Sequence, residues 1–244
     1  MIYSTPDNEL ILALDTTSKD CSICLTRNNL ILAEYNFISN NDLSANIIKI
    51  IEFLLGQLNL DISDIDAFGI GVGPGIFTGI RVGLATIKGL VFDSNKKIVP
   101  VNILEAIASV YKKMNNMIVS LIDAKRGQVY VAGYSITNNN LIDFCKPSLI
   151  DISQLDKILP KNQPLVFAGS GVVLYKDYLQ NTFKVSNIVN SGFLSREIAK
   201  ITYANNISGN VETNIDNVNP LYIRRTDAEE NYERNNTKGK EVRY

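Results

Sequence analysis

Histidine is absent from all 244 residues. That removes the commonest transition-metal ligand and the side chain that most readily exchanges a proton near neutral pH. A His-based metallohydrolase is excluded, as is a peptidase or other hydrolase built on a Ser/His or Cys/His pair. Cysteine is scarce too: Cys21 and Cys24 form a C-x-x-C with no second pair, and Cys145 stands alone. The stretch "CSICLTR" alternates as a strand does, which sends positions three apart to opposite faces. We therefore read these thiols as buried structural side chains rather than a redox or metal pair. No apolar run is long enough for a membrane span, and "MIYSTPDNEL" lacks the cationic start of a leader. The expectation is a cytoplasmic protein with no membrane partner. A marked excess of one sign of charge is missing as well. With 24 Lys and Arg against 25 Asp and Glu, no global field draws the chain to nucleic acid.

What is present is a strand and helix pattern that occurs twice. "LILALDTTS" reads as a buried strand ending at Asp15, and "CSICLTRN" and "LILAEYNFIS" follow across an Asn-Asn turn. "LSANIIKIIEFLLGQLNL" has helical periodicity, predicting a helix over 43–58 capped by Asp42 or Ser44. "DAFGIGVGPG" is a second buried strand that runs into a Gly-rich turn. A helix over 78–92, a strand at "KIVPVNI" and a helix near 104–112 complete the unit. This order implies a mixed sheet with helices on its faces. After "YKKMNNM" the opening pattern returns: "IVSLIDAKRGQVYVAG" matches "ILALDTTSKDCSICL", with Asp123 in the place of Asp15. "PLVFAGSGVVLYKDYL" then reads as a shortened strand, turn and helix. We expect two lobes from a duplicated unit, the first over 1–113 and a reduced second over 117–225. The polar stretch 226–244, without periodicity, is expected to be a disordered tail.

The glycines of "GIGVGPGIFTGIRVGLATIKGL" can cradle a phosphate or let two backbones approach. On a helical wheel Ile80, Leu84, Ile87 and Val91 form the stripe for the sheet. Gly79, Val82, Gly83, Thr86 and Leu90 form a second, small and uncharged face. In the preceding helix Ile50 and Phe53 lie outside the broad core stripe. Surplus faces on two neighbouring helices predict a protein contact through these seven residues, and an arginine at Gly83 is expected to weaken it. The alternative within one subunit is that the two faces meet each other. As a phosphate cradle the run is weak: no Lys-Ser/Thr pair closes it, and Pro74 removes an amide donor. Asp15, Thr16 and Thr17, with Gly75, nonetheless suit a nucleotide-handling turn. An independent phosphotransferase or ATPase therefore stays open as an alternative function.

At "VGPGIFTGIRVGLATIKGL" the sequence resembles the TsaB (YeaZ) family, accessory subunits in threonylcarbamoyladenosine modification of tRNA. "LALDTTS", "NILEAIAS", "DAKRGQVY" and "NPLYIRR" match in family order, from about Leu10 to Arg225. The resemblance implies an α/β actin, Hsp70 and sugar-kinase type fold of two ribonuclease H-like lobes. It implies a non-catalytic scaffold that pairs with the catalytic TsaD paralogue. The TsaE ATPase joins that complex, and the chain alone forms a homodimer. It further implies that the first two helices are the pairing surface. ATP and Mg serve the complex, with no cofactor, metal or catalytic residue assigned to this chain. Contact with tRNA is expected to be indirect, the Arg224–Arg225 pair being a solvated patch. The sequence departs from the family at Leu43, where many relatives carry His. It also departs at Ile76, an apolar residue at the tip of the Gly-rich loop.

Overall fold

The structure is a computed structural model that describes residues 8–39, 42–114 and 117–224. The first unit comprises β1 (Leu10–Asp15), β2 (Asp20–Arg27), β3 (Leu30–Ile38), α1 (Leu43–Gln57), β4 (Ala67–Gly73), α2 (Phe77–Leu90), β5 (Lys97–Asn102) and α3 (Ile103–Val110). The second comprises β6 (Met117–Asp123), β7 (Gln128–Thr137), β8 (Asn140–Asp151) and the single-turn helix α4 (Leu155–Ile158). It continues with β9 (Leu165–Ala168), α5 (Gly171–Leu174), α6 (Lys176–Thr182), β10 (Val185–Val189) and α7 (Ser195–Ser208). The expected tail 226–244, and Arg225, lie outside the described residues. Among the described residues no helix is long and apolar enough to cross a membrane.

The two sheets have one topology. The first runs β3-β2-β1-β4-β5 and the second, in the same sense, β8-β7-β6-β9-β10. In both, the first three strands pair antiparallel and the last two join parallel. Asp15 and Asp123 end equivalent strands, as the repeat predicts. The second unit is the reduced one, its α4 and α5 being only four residues each.

β1 is buried along its whole length because both sheet faces are covered. Leu10, Leu12 and Leu14 face the core beneath α1 and α2, while Ala13 faces a second core built with Leu194, Ile198 and Ala199. β4 divides its residues in the same way. Phe68, Ile70 and Val72 fill the first core. On the opposite face a Cβ at Gly69 would lie 2.1 Å from Thr202 Oγ1, so only glycine lets α7 come so near the sheet. In β2, Cys24 joins the α7 side while Ile23 and Leu25 join the α1 side. Cys21 and Cys24 are both buried and unpaired, and burial pushes their thiols up to about 11 and about 12. They are structural side chains, in keeping with the alternation of their strand.

The lobe boundary differs from the expected one, because the last helix of each unit crosses over. α7 packs on β1, β2, β4 and β5 of the first sheet, and α3 packs on β6, β7 and β8 of the second. α3 carries two apolar faces, Ile103, Ala106 and Ile107 towards α7 and Leu104 and Ala108 towards Ile118, Ala132 and Tyr134. The chain after α7 also returns to the first unit. Glu212 exchanges backbone hydrogen bonds with Ile98, and Val218 enters the first core. Residues 117–225 are thus not a self-contained lobe: from Leu194 to Leu221 they cover the first. A fragment spanning 117–193 lacks α3 and leaves Ile118, Ala132, Tyr134 and Val166 bare. It should show no cooperative thermal transition, whereas the whole chain should; calorimetry on both decides the matter.

Candidate functional site

The turn after β1 is locked from three sides. Thr17 donates to Asp15 Oδ1 from its backbone N at 2.9 Å and from its hydroxyl at 2.7 Å. Thr16 Oγ1 donates to the Gly79 carbonyl at 2.7 Å, and Ile76 N donates to the Thr17 carbonyl at 2.6 Å. Asp15, Thr16 and Thr17 are consequently buried. A Cβ at Gly79 would sit 2.0 Å from the Thr16 carbonyl oxygen, and one at Gly83 would sit 2.3 Å from Thr16 Oγ1. At Gly75 the clash would be with the Thr17 carbonyl, at 2.2 Å.

These contacts correct the expected pairing face. Gly79 and Gly83 do permit a close approach, but by the chain's own Thr16. An arginine at Gly83 would strike Thr16 and Ile70 within the subunit, so it would test folding rather than pairing. Val82, Thr86 and Leu90 are half-buried, α1 lies beside α2, and Leu90 packs against the first core. The expected nucleotide set Asp15, Thr16, Thr17 and Gly75 is brought together in space. Of the four, only Thr17 and Gly75 reach the wall of the cleft between the lobes. Burial raises the Asp15 carboxyl to about 6, against the opposing pull of the two Thr17 hydrogen bonds.

That cleft encloses about 900 Å³. Its first-lobe wall includes Lys19 and Asp20 of the β1–β2 turn and Ile76 and Phe77 at the start of α2. The second-lobe wall is the equivalent β6–β7 turn, Asp123 to Arg126, with Tyr130. The chain after α7 straps the two walls together. Leu221 N donates to the Val72 carbonyl, Tyr222 stacks on Phe77 with centroids 5.0 Å apart, and Arg224 donates to Gln128. Arg81 lies over Phe77 at 3.9 Å and donates to the Tyr222 hydroxyl. The β6–β7 turn has an unusual backbone. Lys125 at φ 64° and Arg126 at φ 56° are the described left-handed residues that are not Gly, Asn or Asp. Such a conformation costs roughly 1–2 kcal/mol per residue without a side chain that can hydrogen-bond locally. Among the described residues no group of His, Cys, Asp and Glu forms a metal-binding cluster.

A second feature lies on the outside of the first lobe. The edge strand β3 and helix α1 border a groove of about 540 Å³, lined by Tyr35, Phe37 and Ile38 from the strand and by Ile50 and Phe53 from the helix. Phe53 and Ile38 are each more than half exposed. Ile50 and Phe53 were legible from the helical wheel. Tyr35, Phe37 and Ile38 were missed, although "LILAEYNFIS" is apolar on both faces, more than an edge strand with one covered face requires.

Comparison with known proteins places the chain in a family. Residues 38–232 match the family model described as TsaD, tRNA N6-adenosine threonylcarbamoyltransferase. The threonylcarbamoyladenosine biosynthesis protein TsaB of Bacillus subtilis is 26% identical over 180 residues, 73% of this chain and 79% of the relative. The chain belongs to the TsaB (YeaZ) family. TsaB of Haemophilus influenzae is 31% identical over 125 residues, which are 50% of this chain and 52% of that protein. The match thus spans about half of the Haemophilus protein. YeaZ from Pseudomonas aeruginosa shares the fold, with a TM-score of 0.74 at 19% identity over 88% of this chain and 99% of that one. The two-lobed α/β architecture is therefore the TsaB one, and the chain has a role in tRNA threonylcarbamoyladenosine biosynthesis.

Two stability predictions follow from the locked turn. Gly79→Ala should cost about 2–3 kcal/mol or more by overpacking. Gly89→Ala, with open space at its Cβ, should gain about 0.5–1 kcal/mol from helix propensity. Denaturant titration of the pair checks the contrast. Asp15 binds its proton more tightly folded than unfolded, so its penalty is absent below pH 4 and grows as pH rises through about 6. Asp15→Asn should therefore stabilise the protein above pH 7 by up to about 3 kcal/mol, with the gain vanishing near pH 4. Melting curves across that range read it out.

Proposed function

We propose that this chain is a non-catalytic accessory subunit. It pairs with a TsaD-type paralogue, which transfers threonylcarbamoyl to the adenosine adjacent to the anticodon in tRNA. The observation that carries this reading is the closed turn at Asp15 to Thr17. The loop at Gly75 and Ile76 and the start of α2 cover it, so Asp15 and Thr16 lie buried behind them and the Asp15 carboxylate is taken up by Thr17. The absence of histidine supports it further, because this chain has no imidazole to hold a metal of its own.

Pairing goes through the outer face of α1. Phe53 and Ile50 supply the apolar anchor, the neighbouring edge of β3 extends it, and Lys49 and Asp42 stand on the polar rim. Val82, Thr86 and Leu90 of α2 border the contact, while Gly79 and Gly83 act from inside by seating that helix. A homodimer uses the same face when the paralogue is absent. A TsaE-type ATPase joins through the complex and consumes ATP with Mg there, and tRNA is reached through the paralogue. Such a subunit works in the cytoplasm, where the tRNA substrate is.

Light scattering of the chain mixed with its TsaD-type paralogue tests the proposal. Wild type should form a stoichiometric heterodimer. Phe53→Asp alters an exposed side chain and should leave the fold intact while weakening association by about 2 kcal/mol or more, as central aromatic anchors do. Full pairing by Phe53→Asp would show that α1 is the wrong surface, and no pairing by wild type would remove the scaffold role.

A further inference from the structure

We infer that the outer edge of β3 is a backbone docking site for a second copy of this chain, the two β3 strands pairing antiparallel so that the first sheets join edge to edge. This deepens the pairing reading above and rests on its homodimer: α1 supplies contact area, and β3 supplies the hydrogen bonds that set the geometry. Each sheet has two edges, and among the described residues three of the four are protected against a further strand. β5 carries Lys97 and Pro100, and its Ile98 exchanges backbone hydrogen bonds with Glu212. β8 carries Lys146 and Pro147. β10 has only five residues, with a register shift between Val185 and Asn187. β3 has nine residues with neither Lys nor Pro, and it stands at the end of its sheet.

Pairing with β2 fixes which amides of β3 are free. Ser39 N donates to the Lys19 carbonyl, and the register from Ala33 to Ile38 is unbroken. Antiparallel alternation then turns the N–H groups of Tyr35 and Phe37 to β2 and leaves those of Glu34, Asn36 and Ile38 pointing outward. Two-fold pairing about Asn36 sets that residue against itself in a hydrogen-bonded pair, with Glu34 against Ile38 of the second copy. Tyr35 then lies opposite Phe37 of the second copy, an aromatic cross-strand pair on each side of the axis. Tyr35 and Phe37 line the groove beside Ile50 and Phe53, an apolar shelf that continues past the last strand. An added strand with aromatic side chains at alternate positions covers that shelf. The strand also tolerates itself electrostatically. Its one charged side chain, Glu34, is engaged by Arg196, and the groove rim offers one charge of each sign, Asp42 and Lys49, for a two-fold mate to match.

Amide exchange read by NMR on the full chain, at concentrations below and above the dimer midpoint found by analytical ultracentrifugation, tests the inference. Dimerisation should slow the Asn36 and Ile38 amides about tenfold or more, while those of Tyr35 and Phe37, already bonded to β2, change little. Asn36→Pro removes the central outward donor at a position where an edge strand accepts proline. It should weaken the dimer about tenfold or more, a loss of about 1.4 kcal/mol, and keep the melting temperature, since Asn36 is exposed. A dimer whose Asn36 and Ile38 amides exchange as they do in the monomer, or one that survives Asn36→Pro, overturns strand pairing and leaves the α1 face standing. A chain that stays monomeric overturns it too, and scattering with the paralogue then decides the α1 face separately.

Discussion

The contact between Thr16 and the first turn of α2 is the constraint on which the rest of the first lobe depends. One hydroxyl-to-carbonyl hydrogen bond of 2.7 Å and a separation that admits no Cβ at Gly79 bring the β1–β2 turn and α2 together. That apposition fixes where α2 starts and seats Gly75 and Ile76 over Thr17. It also buries the Asp15 carboxylate without a cation beside it. The stability given up at Asp15 is recovered in the packing of α2, whose Ile80, Leu84 and Ile87 fill the first core. The turn after β1 is thus a structural joint.

Around that joint the duplicated units are interlocked rather than merely adjacent. Each sheet borrows the last helix of the other unit, so α3 and α7 lie between the sheets and the cleft opens at the strand ends beyond them. The chain after α7 ties the walls at Leu221, Tyr222 and Arg224. Relative motion of the lobes would have to break either the Phe77–Tyr222 stack or the Arg224–Gln128 hydrogen bond, so the strap helps hold the cleft geometry. The groove on the outer face of α1 shares no lining residue with this cleft.

Much of this was legible in the sequence. The strand order and the duplication could be read because buried strands and amphipathic helices leave strong periodic signals. The stripe of Ile80, Leu84 and Ile87 and the outward Phe53 followed from helical geometry alone. The role of the α2 glycines was not legible. A wheel shows that Gly79 and Gly83 share a small face, yet it cannot say whether the close neighbour is another protein or Thr16, 63 residues away from Gly79. The crossover of α7 was hidden for a similar reason, since its partners are set by a sheet whose strands all precede Ile103. The left-handed Lys125 and Arg126 leave no compositional mark beyond the glycine that follows them.

Hydrogen–deuterium exchange of this chain, alone and with its TsaD-type paralogue, tests the central division between inner joint and outer face most directly. The account predicts new protection along α1 and the adjoining edge of β3. The amides of Thr16, Thr17 and Ile76, already held in the joint, should exchange slowly in both states and change little. Protection gained at the cleft turns with none on α1 would contradict it.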